Sequence, residues 1–259
     1  MRITIIGSGN VATHMAAAFK NAGHRIVQVY SRDMQHAALL AYHAGAEPAN
    51  DLHSITPETD LFVIAVSDGA ITSVAAHLAA YQKLTVHTSG ATGLEALSAL
   101  IPKAGVFYPL QTFRKEKSLD FFTVPLCIEG ADEAITQQLE DLAHTVSNKV
   151  ARVDSAQRKI LHLAAVFACN FPNYLYGVAQ RLLAGHGMDF EMLRPLILET
   201  AQKVQDGLPV DMQTGPAIRN DAGTMAAHLQ MLGGKPALKA IYALLSQAII
   251  KNNKDEHGT

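Results

Sequence analysis

The chain of 259 residues carries 21 Lys+Arg against 23 Asp+Glu, a formal net charge of −2. So even a balance excludes a broad basic surface for nucleic acid. Hydrophobic residues make up 49% and charged ones 17%, against about 25% charged in an ordinary soluble domain. That excludes global disorder and offers apolar surface beyond the needs of one folded monomer.

Over residues 1–154 short β-type runs alternate with helical patterns. Strands are expected at 2–6, 25–30, 61–66, 84–88, 105–108, 124–128 and 150–153, with Ala-rich amphipathic helices between several of them, such as 11–22 and 71–81. Strands apolar on both faces and alternating with helices predict a mostly parallel, doubly wound sheet covered on two sides. Beyond Asp154 the β pattern stops, and helices are expected at 155–184, 190–206, 222–232 and 236–251. Asp154 or Ser155 caps the first of these, and Pro172 kinks it by removing a backbone donor. The chain thus divides into an α/β domain, 1–154, with net charge −4, and an all-helical domain, 155–259, with net charge +2.

The apolar runs 61–66 and 163–169 are six and seven residues long, where a membrane helix needs about twenty. No membrane partner and no secretion leader are expected. Cys127 and Cys169 show no metal-ligand spacing, and the 12 histidines are scattered. We therefore expect no metal site, and buried thiols in a reducing compartment, the cytoplasm. The charged runs 114–117 and 251–256 read as solvated.

The first strand runs into Gly7-Ser8-Gly9-Asn10-Val11-Ala12 at the start of a helix, the pattern G-x-G-x-x-A. Gly7 permits a tight turn, Gly9 lets backbone approach a pyrophosphate, and Ala12 allows close helix packing. The N–H groups around Ser8, Asn10 and Val11 face an anion at the positive end of the helix. This predicts a Rossmann dinucleotide site. About twenty residues on, where an NAD site places an acid on the ribose diol, the chain has Ser31 and Arg32. A guanidinium there favours a 2′-phosphate and hence NADP. The alternative is a solvated Arg32, with Asp33 serving NAD. Val66 and Ser67 end the third predicted strand and fall beside the cofactor by the switch-point rule, with Asp68 as a helix cap.

Four segments together resemble the bacterial Rossmann-like proteins that carry the C-terminal domain of unknown function DUF2520, described as NADP oxidoreductases. They are the glycine turn, Val86-His87-Thr88-Ser89-Gly90, the run Phe107 to Phe113 around Tyr108-Pro109 and Gln111-Thr112, and the run Gln213 to Asp221 around Arg219. The resemblance covers nearly the whole chain. It implies a fold related to pyrroline-5-carboxylate reductase and to the 6-phosphogluconate and 3-hydroxyisobutyrate dehydrogenases, with a helical second domain that dimerises. It supplies no substrate.

In the related hydroxyacid dehydrogenases a catalytic Lys precedes an Asn by four residues on the first helix of the second domain. Here Lys159 is followed at that spacing by Leu163, so Lys159 does not inherit the role. The same helix offers His162, Asn170 and Asn173. His162 and Asn173 fall about 20° apart on the helical wheel if the Pro172 kink is mild. A reductase needs a proton donor near the acceptor carbon, and His162 is the best one on this helix. The alternative is a core histidine satisfied by a carbonyl. By position at strand ends, His87, Ser89, Gly90 and Gln111 are candidates for holding substrate, with Arg219 as a cation for an acidic group. The expectation is an NADP(H)-dependent oxidoreductase for a small acidic carbonyl or imine in an interdomain cleft, dimeric through the helical domain. A non-catalytic NADP(H) sensor and a deazaflavin-dependent NADP reductase stay open.

Overall fold

The computed structural model describes residues 1–257, with side chains to residue 253. Residues 254–256 of the expected solvated tail therefore lie outside the described side chains. The strands are β1 (Arg2–Ile6), β2 (Arg25–Tyr30), β3 (Glu47–Ala49), β4 (Leu61–Ile64), β5 (Leu84–His87), β6 (Ala104–Pro109), β7 (Leu126–Gly130) and β8 (Val150–Arg152). They form one sheet in the order β3-β2-β1-β4-β5-β6-β7-β8, parallel throughout except for the antiparallel pair β6–β7. The expected doubly wound sheet is present. The three-residue β3 has no counterpart among the predicted strands, because Glu47-Pro48-Ala49 is too short to show a period.

The pleat sorts the core. Ile3 and Ile5 of β1 and Leu61 and Val63 of β4 join one buried cluster with residues of α1 (Asn10–Asn21), α2 (Met34–Ala44) and, further along the sheet, α5 (Glu133–His144). Ile6, Phe62 and Ile64 point the other way and pack with α3 (Ile71–Leu78) and α4 (Glu95–Ser98). Alternate residues of one strand thus bury into opposite layers. Strand order reverses at β1, which lies between β2 and β4. That is the switch point of such a sheet, where a crevice opens beyond the strands' carboxyl ends.

The long predicted helix 155–184 is α6 (Ser155–Ala165), a π-helical segment (Val166–Asn170) and α7 (Phe171–Ala184). The disturbance expected at Pro172 is therefore a widened i→i+5 stretch just before the proline. Asp154, and not Ser155, caps α6, in a capping box with Gln157. Ser155 instead donates its hydroxyl to Glu129 at 2.8 Å.

Two compact units part at Tyr176/Gly177, so residues 155–176 belong with the sheet. The second unit holds the rest of α7, α8 (Arg194–Asp206), α9 (Ala222–Met231) and α10 (Pro236–His257). Asp221 caps α9, and His228 Nδ1 meets the Tyr242 hydroxyl at 2.8 Å to join α9 to α10. Among the described residues no helix is long and apolar enough to cross a membrane.

One interaction decides where α6 meets the sheet. Arg158 is wholly buried and pairs through Nη1 with Glu129 of β7. Its Nη2 donates to the Thr92 carbonyl at 2.6 Å and to Ser155 Oγ at 3.1 Å. Glu129 also accepts from the Ser155 N–H at 3.0 Å. Removing one partner of such a pair strands the other in low dielectric. Arg158→Ala is expected to cost about 3 kcal/mol, measured by urea unfolding of the whole chain. A loss under about 1 kcal/mol, the range of exposed pairs, would contradict it.

Candidate active site

A cavity of about 1070 Å³ opens at the carboxyl ends of β1, β2, β4, β5 and β6. Gly7, Ser8, Gly9, Asn10 and Val11 form one wall. Gly7 has φ +126°, and a Cβ there would collide with the Ala65 carbonyl, so the turn admits only glycine. At Gly9 the space within 4 Å is open. The N-terminus of α1 has no side-chain cap and no acid in its first turn. Asp33, Asp132, Asp154 and Asp221 cap α2, α5, α6 and α9. Alone among these five helices, α1 presents its free N–H groups and positive dipole end beside a cavity.

Ser31 and Arg32 line the same cavity where β2 ends, and the Ser8 hydroxyl donates to Ser31 Oγ at 2.9 Å. Asp33, the alternative ribose ligand, accepts from the Gln35 and His36 N–H groups at 2.8 and 3.3 Å. Those backbone bonds hold its carboxyl below the usual carboxylate range. Both bonds fall on Oδ1; Oδ2 lies 3.8 Å from His36 Nδ1 in an exposed pair, and Asp33 lines the cavity beside Arg32, which has no ion pair among the described residues. His36, missed in the sequence, adds an imidazole to this wall. The signal for it was its place in the first turn of the helix after Arg32. Val66 and Ser67 line the cavity, as does Asp68. Asp68 makes no capping bond, contrary to the expectation, because a 3-10 turn (Asp68–Ala70) replaces the first α turn there.

At the other end the cavity reaches Ser89, Gly90, Tyr108 and His162. The Tyr108 hydroxyl and His162 Nδ1 share a hydrogen bond of 3.3 Å, with their rings edge to face. A Cβ at Gly90 would lie 2.6 Å from His162 Nδ1 and 2.8 Å from Tyr108 Cζ. Only glycine lets this pair close over the loop. Burial pushes the Tyr108 phenol above its ordinary value, so it is a neutral donor. Tyr108 stands next to last in β6, at the carboxyl end of the strand. The Gly90 N–H makes no hydrogen bond among the described residues.

Ser89 and His87 serve the loop itself. Ser89 Oγ accepts from the Ala91 and Thr92 N–H groups at 3.1 and 2.9 Å and donates to Thr92 Oγ1 at 3.0 Å. That engagement leaves it no spare donor. His87, expected to hold substrate, is wholly buried and does not line the cavity. Its Nε2–H donates to the Gly93 carbonyl at 3.3 Å, and its Nδ1 accepts from the Ser89 N–H at 3.2 Å. Those partners require the neutral ring. Burial, then the Arg158 charge, lower its pKa to about 4.

Asn170 and Asn173 do not join His162. The π-helical segment between them re-phases the helix, so the shared face expected from an unbroken 100° wheel is lost. Both line a second cavity of about 480 Å³. Gln111 lines both cavities. Lys159 sits 3.9 Å from Glu95 in an exposed pair, away from either. Arg219 belongs to the second unit, in the loop before α9, where its charge helps hold Asp221 below the carboxylate range after the Thr224 hydrogen bonds. Among the described residues no His/Cys/Asp/Glu cluster suits a metal ion.

Residues 124–249 match the family described as a domain of unknown function (DUF2520), and residues 2–89 match the family described as NADP oxidoreductase coenzyme F420-dependent. Among solved structures the chain is similar to a "putative NADP oxidoreductase" from Bacteroides fragilis. The identity is 41% and the TM-score 0.93, over 96% of this chain and 98% of that one. It is also similar to an imine reductase from Myxococcus stipitatus in complex with NADP+, with 15% identity and TM-score 0.63 over 98% and 93% of the two chains. A pyrroline-5-carboxylate reductase from Coxiella burnetii gives 15% and 0.57 over 98% and 97%. These last two show the shared fold alone. No curated protein matches the chain significantly.

His87 makes stability depend on pH. Its folded pKa lies below the ordinary 6.5, so the unfolded chain binds the extra proton between about pH 6.5 and 4. The stabilisation is complete above that window and is lost as pH falls through it, on the order of 3 kcal/mol in all. Urea midpoints of the wild type should fall more steeply from pH 7 to 4 than those of His87→Gln. Parallel curves would contradict the assignment.

Proposed function

The chain belongs to the family marked by the DUF2520 domain, and on that footing we propose that it is an NADP(H)-dependent oxidoreductase acting on a small acidic carbonyl or imine compound. The observation that carries this is one cavity holding both an uncapped helix N-terminus behind a glycine-only turn and a His–Tyr pair over an unpartnered N–H. The residues present fit the cofactor. The N–H groups around Ser8 to Val11 would hold its pyrophosphate, and Arg32 with His36 its 2′-phosphate, the Asp33 carboxylate being turned through Oδ1 to the N–H groups of α2. When bound, the nicotinamide supplies or takes up a hydride.

The chain's own groups then do the rest. As a carbonyl or imine carbon gains a hydride, its oxygen or nitrogen becomes negative. The Gly90 N–H is equipped to hold that charge. The proton comes from His162, and Tyr108 O–H donates to Nδ1 once His162 has given its own proton away. The match of residues 2–89 to a coenzyme F420-dependent family favours a second reading, hydride exchange between NADP and a deazaflavin.

Two copies pair through the helices. Ile160 and Leu163 of α6, Phe167 of the π-helical segment, and Phe171 and Tyr174 of α7 are all exposed, apolar surface that a second copy can cover. The free Cys127 and Cys169 support a reducing compartment such as the cytoplasm.

Calorimetric titration should show NADPH bound more tightly than NADH, with Arg32→Asp weakening NADPH about tenfold and NADH little. Failure to bind either cofactor would sink the oxidoreductase reading. On a panel of keto acids and cyclic imines, His162→Phe should lower turnover about a hundredfold at unchanged NADPH affinity. Tight NADPH binding with no turnover on any of them would favour a sensor, and catalysed reduction of a deazaflavin the second reading. Light scattering should give twice the chain mass of 27.8 kDa, and Leu163→Glu/Phe167→Glu should give the single mass. A monomeric wild type would refute the pairing.

A further inference from the structure

The second cavity, of about 480 Å³, is not used by the chemistry above. Arg114 and Lys117 line it together with the amides of Gln111, Asn170 and Asn173. No Asp or Glu lines it. A wall of cations and neutral amides selects anions. Phe113, Leu119 and Cys169 supply an apolar remainder, enough for a short carbon skeleton.

The backbone that carries Arg114 is held in place before anything binds. The His14 Nε2–H of α1 donates to the Arg114 carbonyl at 2.9 Å. The His14 ring packs on Phe113 at 4.9 Å between centroids. Phe113 is buried and stacks on Phe121 at 6.1 Å and 15°. The backbone at 113–114 is therefore pinned, and a ligand need not order it. The nearest acid, Glu116, lies 4.0 Å from Arg114 Nε in a highly exposed pair of little strength. It leaves the two terminal guanidinium nitrogens for a carboxylate fork.

Gln111 is a wall of this cavity and of the larger one that holds His162 and Tyr108. We propose that the smaller cavity is an anion-recognising subsite that takes the carboxylate of the substrate, a small organic acid, through Arg114 and Lys117. The assignment of that carboxylate to a substrate rests on the oxidoreductase reading above. It also reassigns Asn170 and Asn173 from the reacting atoms to substrate recognition.

The test is titration of the whole chain with succinate and with neutral succinamide, with and without saturating NADP+. Succinate should bind at least about tenfold more tightly than succinamide. Arg114→Gln/Lys117→Gln should weaken succinate at least about tenfold while NADPH affinity changes less than about twofold. Lys103→Gln/Lys149→Gln, exposed residues that line neither cavity, removes the same charge elsewhere and should leave succinate binding unchanged. No succinate binding, equal binding of the two probes, or equal losses in the two double variants would overturn the subsite. Succinate binding that behaves as expected in a chain that binds no nicotinamide cofactor would leave the subsite standing and remove the oxidoreductase reading instead.

Discussion

Arg158 keeps a full positive charge with none of its surface in water. Desolvating an ion costs several kcal/mol, which only close, well-directed partners offset. Glu129 comes from β7, the Thr92 carbonyl from the loop after β5, and Ser155 Oγ from the first turn of α6. A single side chain therefore ties three separate pieces of chain together. His162 stands one helical turn beyond Arg158, and Gly90 lies in the loop whose Thr92 carbonyl Arg158 holds. The same charge acts on His87 beneath that loop, keeping its imidazole neutral. The neutral ring in turn accepts the Ser89 N–H, so the loop is fastened from two sides.

The cofactor end of the cavity depends on a different economy of hydrogen bonds. Four helices have their first N–H groups capped by an aspartate. The α1 helix does not, and its open donors stand next to the turn that only Gly7 can make. Asp33 illustrates the same economy from the other side. One oxygen of the carboxylate that would suit a ribose diol is engaged by the N–H groups of α2, and Arg32 stands beside it in the cavity wall. The similarity to an NADP oxidoreductase from Bacteroides fragilis is thus accompanied by donors and charges placed at the ends of β1 and β2.

Much of this was legible in the sequence. The glycine turn, the alternation of strands and helices, and the change of pattern after Asp154 all rest on local periodicity and backbone sterics, which a sequence displays directly. Gly90 was a candidate from its place at a strand end, and His162 from being the proton donor available on the first helix after Asp154. What could not be read was set by burial and phase. Arg158, four residues before His162, looks like an ordinary helical arginine until Glu129 is seen against it. Tyr108 was legible as a strand end, but its hydrogen bond to His162 joins residues 54 apart. Asn173 shared a face with His162 only for an unbroken α-helix, and no sequence period announces the π-helical segment. His87 and Ser89 carry chemically capable groups that the loop has already engaged.

On the proposed reading, a single cavity brings the uncapped end of α1, Arg32 and the His162–Tyr108 pair to one bound cofactor. A crystal structure of the NADP+ complex tests it most directly. The pyrophosphate should lie on the backbone N–H groups of the turn at Ser8 to Val11, the 2′-phosphate on Arg32, and the nicotinamide beside Gly90 and His162. Cofactor density elsewhere, or a nicotinamide ring remote from His162, would contradict it.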